Sequence, residues 1–351
     1  MRAITVAPGQ KDSARLDEID EPRPGDGELL VQMLSLGVCG TDGEIVSGGY
    51  GWPPEGEERL VLGHESLGRV VQAPAGSGFA EGDLVAGIVR RPDPVPCPCC
   101  ARDEWDMCRN GRYRERGIKE LNGFGAERVA LESHFAVKLD PELGHVGVLT
   151  EPTSVVAKAW EQIDRIKERA CEPLETVLVL GGGPIGLLAA LLGTRRGLRV
   201  HVLDRVTEGP KPELVRDLGA TYHSGSVEDA CGKAGADILV ECTGVGQLVV
   251  DAMTHTAPGA IVCLTGVSAR GYSMNVDVGS LNNELVLDND VVFGSVNANR
   301  RHFQAAAEAL AAADRSWLER LITRRAPLER WHEALERQEH DVKTVIDFES
   351  T

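Results

Sequence analysis

Two short stretches of this chain carry side chains that could bind a metal. Gly37-Val38-Cys39-Gly40-Thr41-Asp42 supplies a thiol, a hydroxyl and a carboxylate, and Gly63-His64-Glu65 supplies an imidazole and a second carboxylate. Zinc takes Cys sulfur, His nitrogen and carboxylate oxygen, and a catalytic zinc keeps one position open for water or substrate. Cys39 and His64 fit the first two ligand types. Asp42 can accept the free ring N–H of His64 and fix its tautomer, while Glu65 can ligate directly or through water. Thr41 stands where a hydroxyl can accept the proton of an alcohol substrate. Either Cys39 or His64 alone is more simply a packed core side chain; together they indicate a catalytic zinc site.

A second chemistry is written at 176–204. The β-branched run Thr176-Val177-Leu178-Val179-Leu180 leads into Gly181-Gly182-Gly183-Pro184-Ile185-Gly186, and an apolar helical stretch follows over 187–195. A G-x-G-x-x-G turn between strand and helix lets the backbone approach a pyrophosphate, whose charge meets the helix N-terminus. Gly181, Gly183, Pro184, Ile185 and Gly186 are therefore cofactor residues, and a further strand over 199–203 ends at Asp204. A carboxylate there accepts both ribose hydroxyls of NAD and repels the 2′-phosphate of NADP, whereas the adjacent Arg205 favours phosphate. One exposed arginine returns less than desolvating the carboxylate against a dianion costs. The expectation is NAD preferred, with NADP used weakly. Three later strands end at Thr243, at Thr265 and Val267, and at Asn297. Ligands in open α/β sheets lie beyond the carboxyl ends of strands, so these residues are expected to line the cofactor crevice.

Four of the nine cysteines, Cys97, Cys99, Cys100 and Cys108, crowd into one loop. Exposed thiols gain little from packing and risk oxidation, so a closed structural zinc is the natural reading.

Gly-Val-Cys-Gly-Thr-Asp, then Gly63-His64-Glu65-Ser66-Leu67-Gly68 and Gly82-Asp83-Leu84-Val85, resemble the zinc-dependent medium-chain dehydrogenase/reductase family. Gly48-Gly49-Tyr50-Gly51, Pro54-Glu55-Gly56-Glu57 and Leu60-Val61-Leu62 narrow the resemblance to its glucose (aldose) 1-dehydrogenase branch. The resemblance spans essentially the whole chain. It implies an α/β protein with an irregular β-rich (GroES-like) catalytic domain and a doubly wound parallel-sheet Rossmann domain. Glu151, in Leu149-Thr150-Glu151-Pro152, falls at the third catalytic-zinc position and can also touch substrate. Glu115 falls where the sugar enzymes hydrogen-bond hydroxyls, and Asn297 where they reach nicotinamide or sugar; read without the resemblance, these are a surface glutamate and a turn cap. Two departures stand out. Pro94 occupies the place of the first structural cysteine, leaving Cys99 or the carboxylate of Asp93 as fourth ligand beside Cys97, Cys100 and Cys108, or a lobe without metal. Glu44 replaces the histidine that continues the proton relay in many alcohol-oxidising relatives.

The implied reaction is oxidation of an aldose, D-glucose above others, at C1 to the aldonolactone, with NAD or NADP as acceptor. The alternatives are a polyol, threonine or simple alcohol dehydrogenase, and a non-catalytic nucleotide-binding protein. The resemblance also implies a homo-oligomer, a dimer or tetramer.

Positioning these residues requires two folded units, which 351 residues suffice to build. Short strand-like runs at 3–6, 29–34, 68–71 and 84–89 suit a β-rich domain over 1–155; the resemblance implies that 299–351, with helices read at 302–313 and 327–340 and a last strand at 343–348, completes it. Residues 156–298 alternate strand and helix as a Rossmann domain does. A net charge of −17 argues against nucleic acid or an anionic membrane as partner. No signal peptide or membrane-length apolar run is evident, and the free-cysteine pattern suits the reducing cytoplasm.

Overall fold

The strand Glu28–Val38 alternates half-buried and buried side chains along its first half and is buried through most of its second. It lies at the centre of a seven-stranded sheet, between Glu65–Gln72 and Lys343–Asp347, with Arg128–Glu132 also paired to it. Both flanking strands run antiparallel to it, and the register sets Gly37 opposite Glu65 on one side and Val345 on the other. Residues far apart in sequence, around 38, 65 and 343, thus meet at one end of this sheet. In the computed structural model, which describes residues 1–268, 271 and 273–349, this β-rich unit comprises Met1–Ser154 and the segment from Asn297 onward.

The second unit, Val155–Val296, holds a six-stranded sheet in the order Thr221–His223, Arg199–Leu203, Thr176–Leu180, Ile238–Glu241, Ile261–Leu264, Val291–Gly294. Every pairing is parallel. This is the doubly wound order with the topological switch beside the first strand. Thr176–Leu180 is buried at all five positions, as a strand covered by helices on both faces requires. Leu178, Leu180, Leu239 and Val262 form a core with Val227, Ala230 and Ala252 from two helices. The expected fold class is borne out in both parts.

Two local expectations differ. The helix read over 327–340 is confined to Trp331–Leu335, because Pro327 instead ends a strand, Ile322–Pro327, that pairs in parallel with Lys343–Asp347. The helix read from His302 starts earlier, at Arg300, where Asn299 caps it by accepting the Arg300 N–H at 2.6 Å. No helix among the described residues is long and apolar enough to cross a membrane.

Candidate active site

Cys39 closes the long central strand and caps the helix Gly40–Val46. His64 follows Gly63, whose φ of 95° makes the sharp entry into the strand Glu65–Gln72. A β-carbon at Gly63 would lie 2.5 Å from Leu36, so the turn needs glycine for space as well as for conformation. The result is that Cys39 Sγ and His64 Nε2 stand 3.0 Å apart, and donor atoms of Cys39, His64 and Glu65 lie within 4.8 Å of one another.

The surroundings hold these donors in place. Asp42, buried in the first helical turn, accepts the Cys39 N–H at 2.9 Å through one oxygen and faces His64 Nδ1 at 3.4 Å through the other. This is the placement that an imidazole-orienting role requires. Glu65 forms a buried ion pair with Lys343, whose ammonium also donates to the Val38 carbonyl at 2.9 Å. Lys343, only 1 % exposed, was not singled out from sequence. A lysine opening the last strand, directly before Thr344-Val345-Ile346, was the available signal. Gly37 makes room for the pair, since a β-carbon there would lie 2.1 Å from Glu65 Oε2.

Glu151, at the start of the helix Thr150–Ile166, stands outside the tight trio but within electrostatic reach of it. Burial, reinforced by Glu65 and Asp42 against the opposing His64 and Lys343, pushes its carboxyl up to about 7. Burial alone would depress the His64 imidazolium, yet Cys39 and Asp42 outweigh it and hold the pKa well above the ordinary histidine value. A thiol, an imidazole and the carboxyl groups of Asp42, Glu65 and Glu151 thus converge around one lysine, a donor set that a dication would satisfy. The donor set fits zinc.

Glu115 is buried and paired with Arg90, whose Nε and terminal nitrogen both reach Glu115 Oε1 at 2.9 Å while its guanidinium covers Tyr113. Both contacts fall on one oxygen, leaving Oε2 uncommitted. Thr41 is half-buried beside Asp42, and Glu44, one turn on, is exposed. Asn297 adopts φ 53°, donates to the Asp106 carbonyl at 3.4 Å, and keeps a buried Oδ1 with no hydrogen-bond partner.

In the cysteine loop the sulfurs of Cys97, Cys100 and Cys108 converge within 4.8 Å. Cys99 lies outside the trio, packed against the cluster that includes Trp105. The Arg109 N–H, with those of Cys100 and Cys99, lowers the Cys97 thiol to about 6, whereas burial pushes Cys100 up to about 11. Asp93, the other candidate for a fourth donor, already accepts from the Val95 N–H at 2.8 Å and from Asn110 at 2.8 Å.

The glycine turn has the shape of a phosphate cradle. Gly181 sits at φ 103°, and a β-carbon on Gly186 would lie 1.8 Å from the Gly181 carbonyl. Gly183 caps the helix Pro184–Arg195 and faces open space, with Ile185 half-buried beside it. Asp204 Oδ2 accepts the Gly182 N–H at 2.7 Å and pairs with Lys211 at 3.0 Å, while Arg205 is exposed. Thr243 and Thr265 turn inward onto Glu241: the Thr243 N–H donates to its carboxylate at 2.6 Å and the Thr265 hydroxyl to its carbonyl at 2.7 Å. Val267 is exposed at the same junction. Residues 39, 64 and 65 are therefore gathered at one site and 181–186 with Asp204 at another. Lys343, Arg90 and Lys211 are the charged partners that sequence reasoning missed.

A family model for the alcohol dehydrogenase GroES-like domain matches residues 25–141, and one for the glucose dehydrogenase C-terminus matches 144–348. A glucose 1-dehydrogenase of Thermoproteus tenax is 40% identical across 100% of both chains, and one of Methanocella arvoryzae is 39% identical across 99% of both. The structure of Haloferax mediterranei glucose dehydrogenase in complex with NADP, Zn and gluconolactone superposes with a TM-score of 0.92 at 33% identity, covering 100% of both chains. With the motifs, the fold and full-length similarity all in agreement, the chain belongs to the zinc-dependent medium-chain dehydrogenase/reductase family, in its glucose 1-dehydrogenase branch.

Proposed function

We propose that this protein oxidises D-glucose at C1 to the lactone, using zinc and NAD(P), with NAD preferred and NADP also accepted. The observation that carries the reading is the 3.0 Å approach of Cys39 Sγ to His64 Nε2 beside two acidic side chains, in a chain that also carries a dinucleotide cradle. The glucose 1-dehydrogenases of T. tenax and M. arvoryzae, and the H. mediterranei enzyme bound to NADP, Zn and gluconolactone, support the choice of sugar.

Cys39, His64 and Glu151 would hold the metal, with Glu65 near or on it. When bound, zinc supplies a Lewis acid that acidifies the anomeric hydroxyl, and nicotinamide supplies the acceptor for the C1 hydride. The chain's own residues do the rest. Asp42 keeps His64 Nδ1 protonated so that Nε2 faces the metal. Lys343 holds Glu65 by its Oε2. Thr41 Oγ1 accepts the anomeric proton as its own hydroxyl proton passes on, and it is half-buried. Glu115 Oε2 and Glu151 accept sugar hydroxyls, and Asn297 presents its unpaired Oδ1 to sugar or nicotinamide. Buried polar groups placed for hydroxyls disfavour a plain alcohol, which would leave them unsatisfied. Gly181, Gly183 and Gly186, with Pro184 and Ile185, receive the pyrophosphate. Cys97, Cys100 and Cys108 form a structural zinc site, for which Cys99 is the remaining thiol.

A homo-oligomer is supported by an apolar edge. The strand Val291–Gly294 ends the sheet, and Val278, Val286 and Leu287 on the neighbouring helix in sequence are exposed by more than 60 %. Nine free cysteines support a cytoplasmic location.

D-glucose deuterated at C1 tests the reaction. The label is expected in the reduced nicotinamide, with the lactone visible by NMR before water opens it; label retained in the sugar would overturn the assignment.

A further inference from the structure

Three arginines share one carboxylate on the reverse side of the strand that carries Glu115. Residues 109–119 hold Arg109, Arg112, Arg114, Arg116 and Lys119 against Glu115 alone, in a chain of net charge −17. We propose that Arg114, with Arg91 and Arg116 beside it, forms a binding site for a phosphate dianion, separate from the sugar, zinc and dinucleotide sites.

The strands Arg90–Arg91 and Arg114–Arg116 pair antiparallel, with Arg90 opposite Glu115 and Arg91 opposite Arg114. Opposed residues share a face and successive residues alternate, so Arg90 and Glu115 meet on one face while Arg91, Arg114 and Arg116 fall together on the other. Arg91 Nε and Nη2 reach the two oxygens of Glu132 at 3.1 and 2.8 Å, and Arg116 Nη2 reaches the same carboxylate at 3.2 Å. Arg91 also donates to the Ile88 carbonyl at 2.6 Å and lies over the Phe135 ring, while Arg116 donates to the carbonyls of Asn122 and Ala130. Those two guanidiniums are committed. That of Arg114 is half-buried and makes no hydrogen bond or ion pair among the described residues; its Nε is fully buried without a partner, as is that of Arg116.

Like charges directly opposite each other across a strand pair are unfavourable, and burial without a partner adds to the cost. Burial, with Arg116 and Arg114 adding to it against the opposing Glu132, brings Arg91 down to about 10. Burial would raise the Glu132 carboxyl, yet Arg91 and Arg116 bring it to about 2. Three guanidiniums against one carboxylate leave two positive charges. A phosphate near neutral pH carries about two negative charges and matches them, whereas one further carboxylate does not. The free guanidinium fork of Arg114 suits two oxygens of such an anion. Arg114 thus stands in this strand at a cost that a bound dianion removes.

The test is binding at constant ionic strength. Zinc-loaded protein with saturating NADH, which fills the glycine turn, is titrated by calorimetry with orthophosphate and with glycerol 3-phosphate, chloride making up the ionic strength. Thermal melting across the same series gives a second readout, because an anion that binds the folded state raises the melting temperature saturably. Saturable binding of at least one of the two is expected, and the tighter one tells the free ion from a phosphate ester. Arg114→Met is expected to raise its Kd by about tenfold or more, with NADH affinity unchanged. If Arg114→Met does not fold, Arg114→Lys carries the test: it keeps the charge without the fork, so the anion must still bind, and more weakly than to wild type. No saturable binding by the wild type, or affinity that either variant leaves unchanged, overturns the proposal. So does a change of oligomeric state in Arg114→Met with no effect of phosphate on the wild type, which would assign the cluster to a protein contact.

Discussion

Gly37→Ala adds one methyl group at the point where the zinc site is tied to the sheet. The β-carbon would lie 2.1 Å from Glu65 Oε2, 3.0 Å from Glu65 Cβ and 3.0 Å from Lys343 Cε. Backbone conformation is no obstacle, because Gly37 is not among the positive-φ glycines. Strand register pins both neighbours, so Glu65 has to leave its ion pair with Lys343. The ammonium is then buried without a carboxylate, at 1 % exposure. Breaking a buried pair in this way costs roughly 3–5 kcal/mol. At about 2–4 °C per kcal/mol for a domain of this size, the melting temperature should fall by roughly 6–20 °C. Urea denaturation of wild type, Gly37→Ala, Glu65→Ala and the double variant provides the assay. Glu65→Ala removes the pair and the 2.1 Å clash with its carboxylate, leaving only the 3.0 Å contacts with the β-carbon and Lys343 Cε, so Gly37→Ala should cost about 2 kcal/mol less in that background than in the wild type, the order of coupling that contacting residues show. A Gly37→Ala protein within about 0.5 kcal/mol of wild type, or costs that simply add, would refute the reasoning.

Three further outcomes follow from the same geometry. Cys39→Ser or His64→Ala should reduce glucose turnover by at least about a thousandfold while NADH still binds, as measured by initial rates and a fluorescence titration; activity within a few-fold of wild type would remove the zinc assignment. Cys108→Ala should lower bound zinc from two equivalents per chain to one and lower the melting temperature with little change in the chemical step; one equivalent in the wild type, with unchanged melting, would remove the structural site. Zinc affinity should weaken as pH falls below about 7, by about tenfold per pH unit for each proton displaced, because zinc competes with protons on His64 and Glu151, both held above their ordinary pKa values. For stability the sign runs the other way: metal-free protein gains from these raised groups at low pH and loses that gain as pH rises through their folded values. The melting gap between zinc-loaded and zinc-stripped protein should therefore widen from about pH 6 to about pH 8; a gap that narrows would contradict it.

The candidate donors were legible in the sequence because zinc restricts ligand types so sharply that Cys39, His64 and Glu65 identify one another, with Asp42 beside the imidazole. The glycine cradle was legible because Gly181 and Gly186 stand between an apolar strand and an apolar helix. What was not legible was charge pairing across distance. Lys343 meets Glu65 only because the last strand returns beside the central one. Lys211 meets Asp204 only because a helix begins at Pro210, and Arg90 meets Glu115 through a short two-strand pairing. The strand Ile322–Pro327 was hidden by Pro327, which reads as a helix start; here it closes an edge strand, where the missing N–H is tolerated.

The central claim is most directly tested by initial-rate spectrophotometry of the zinc-loaded protein against aldoses, polyols, threonine and simple alcohols, each with NAD and with NADP. Turnover of D-glucose above every polyol and alcohol, higher catalytic efficiency with NAD, and measurable activity with NADP are expected. Faster oxidation of a simple alcohol or polyol than of any aldose, or tight NADH binding with no turnover of any substrate, would contradict it.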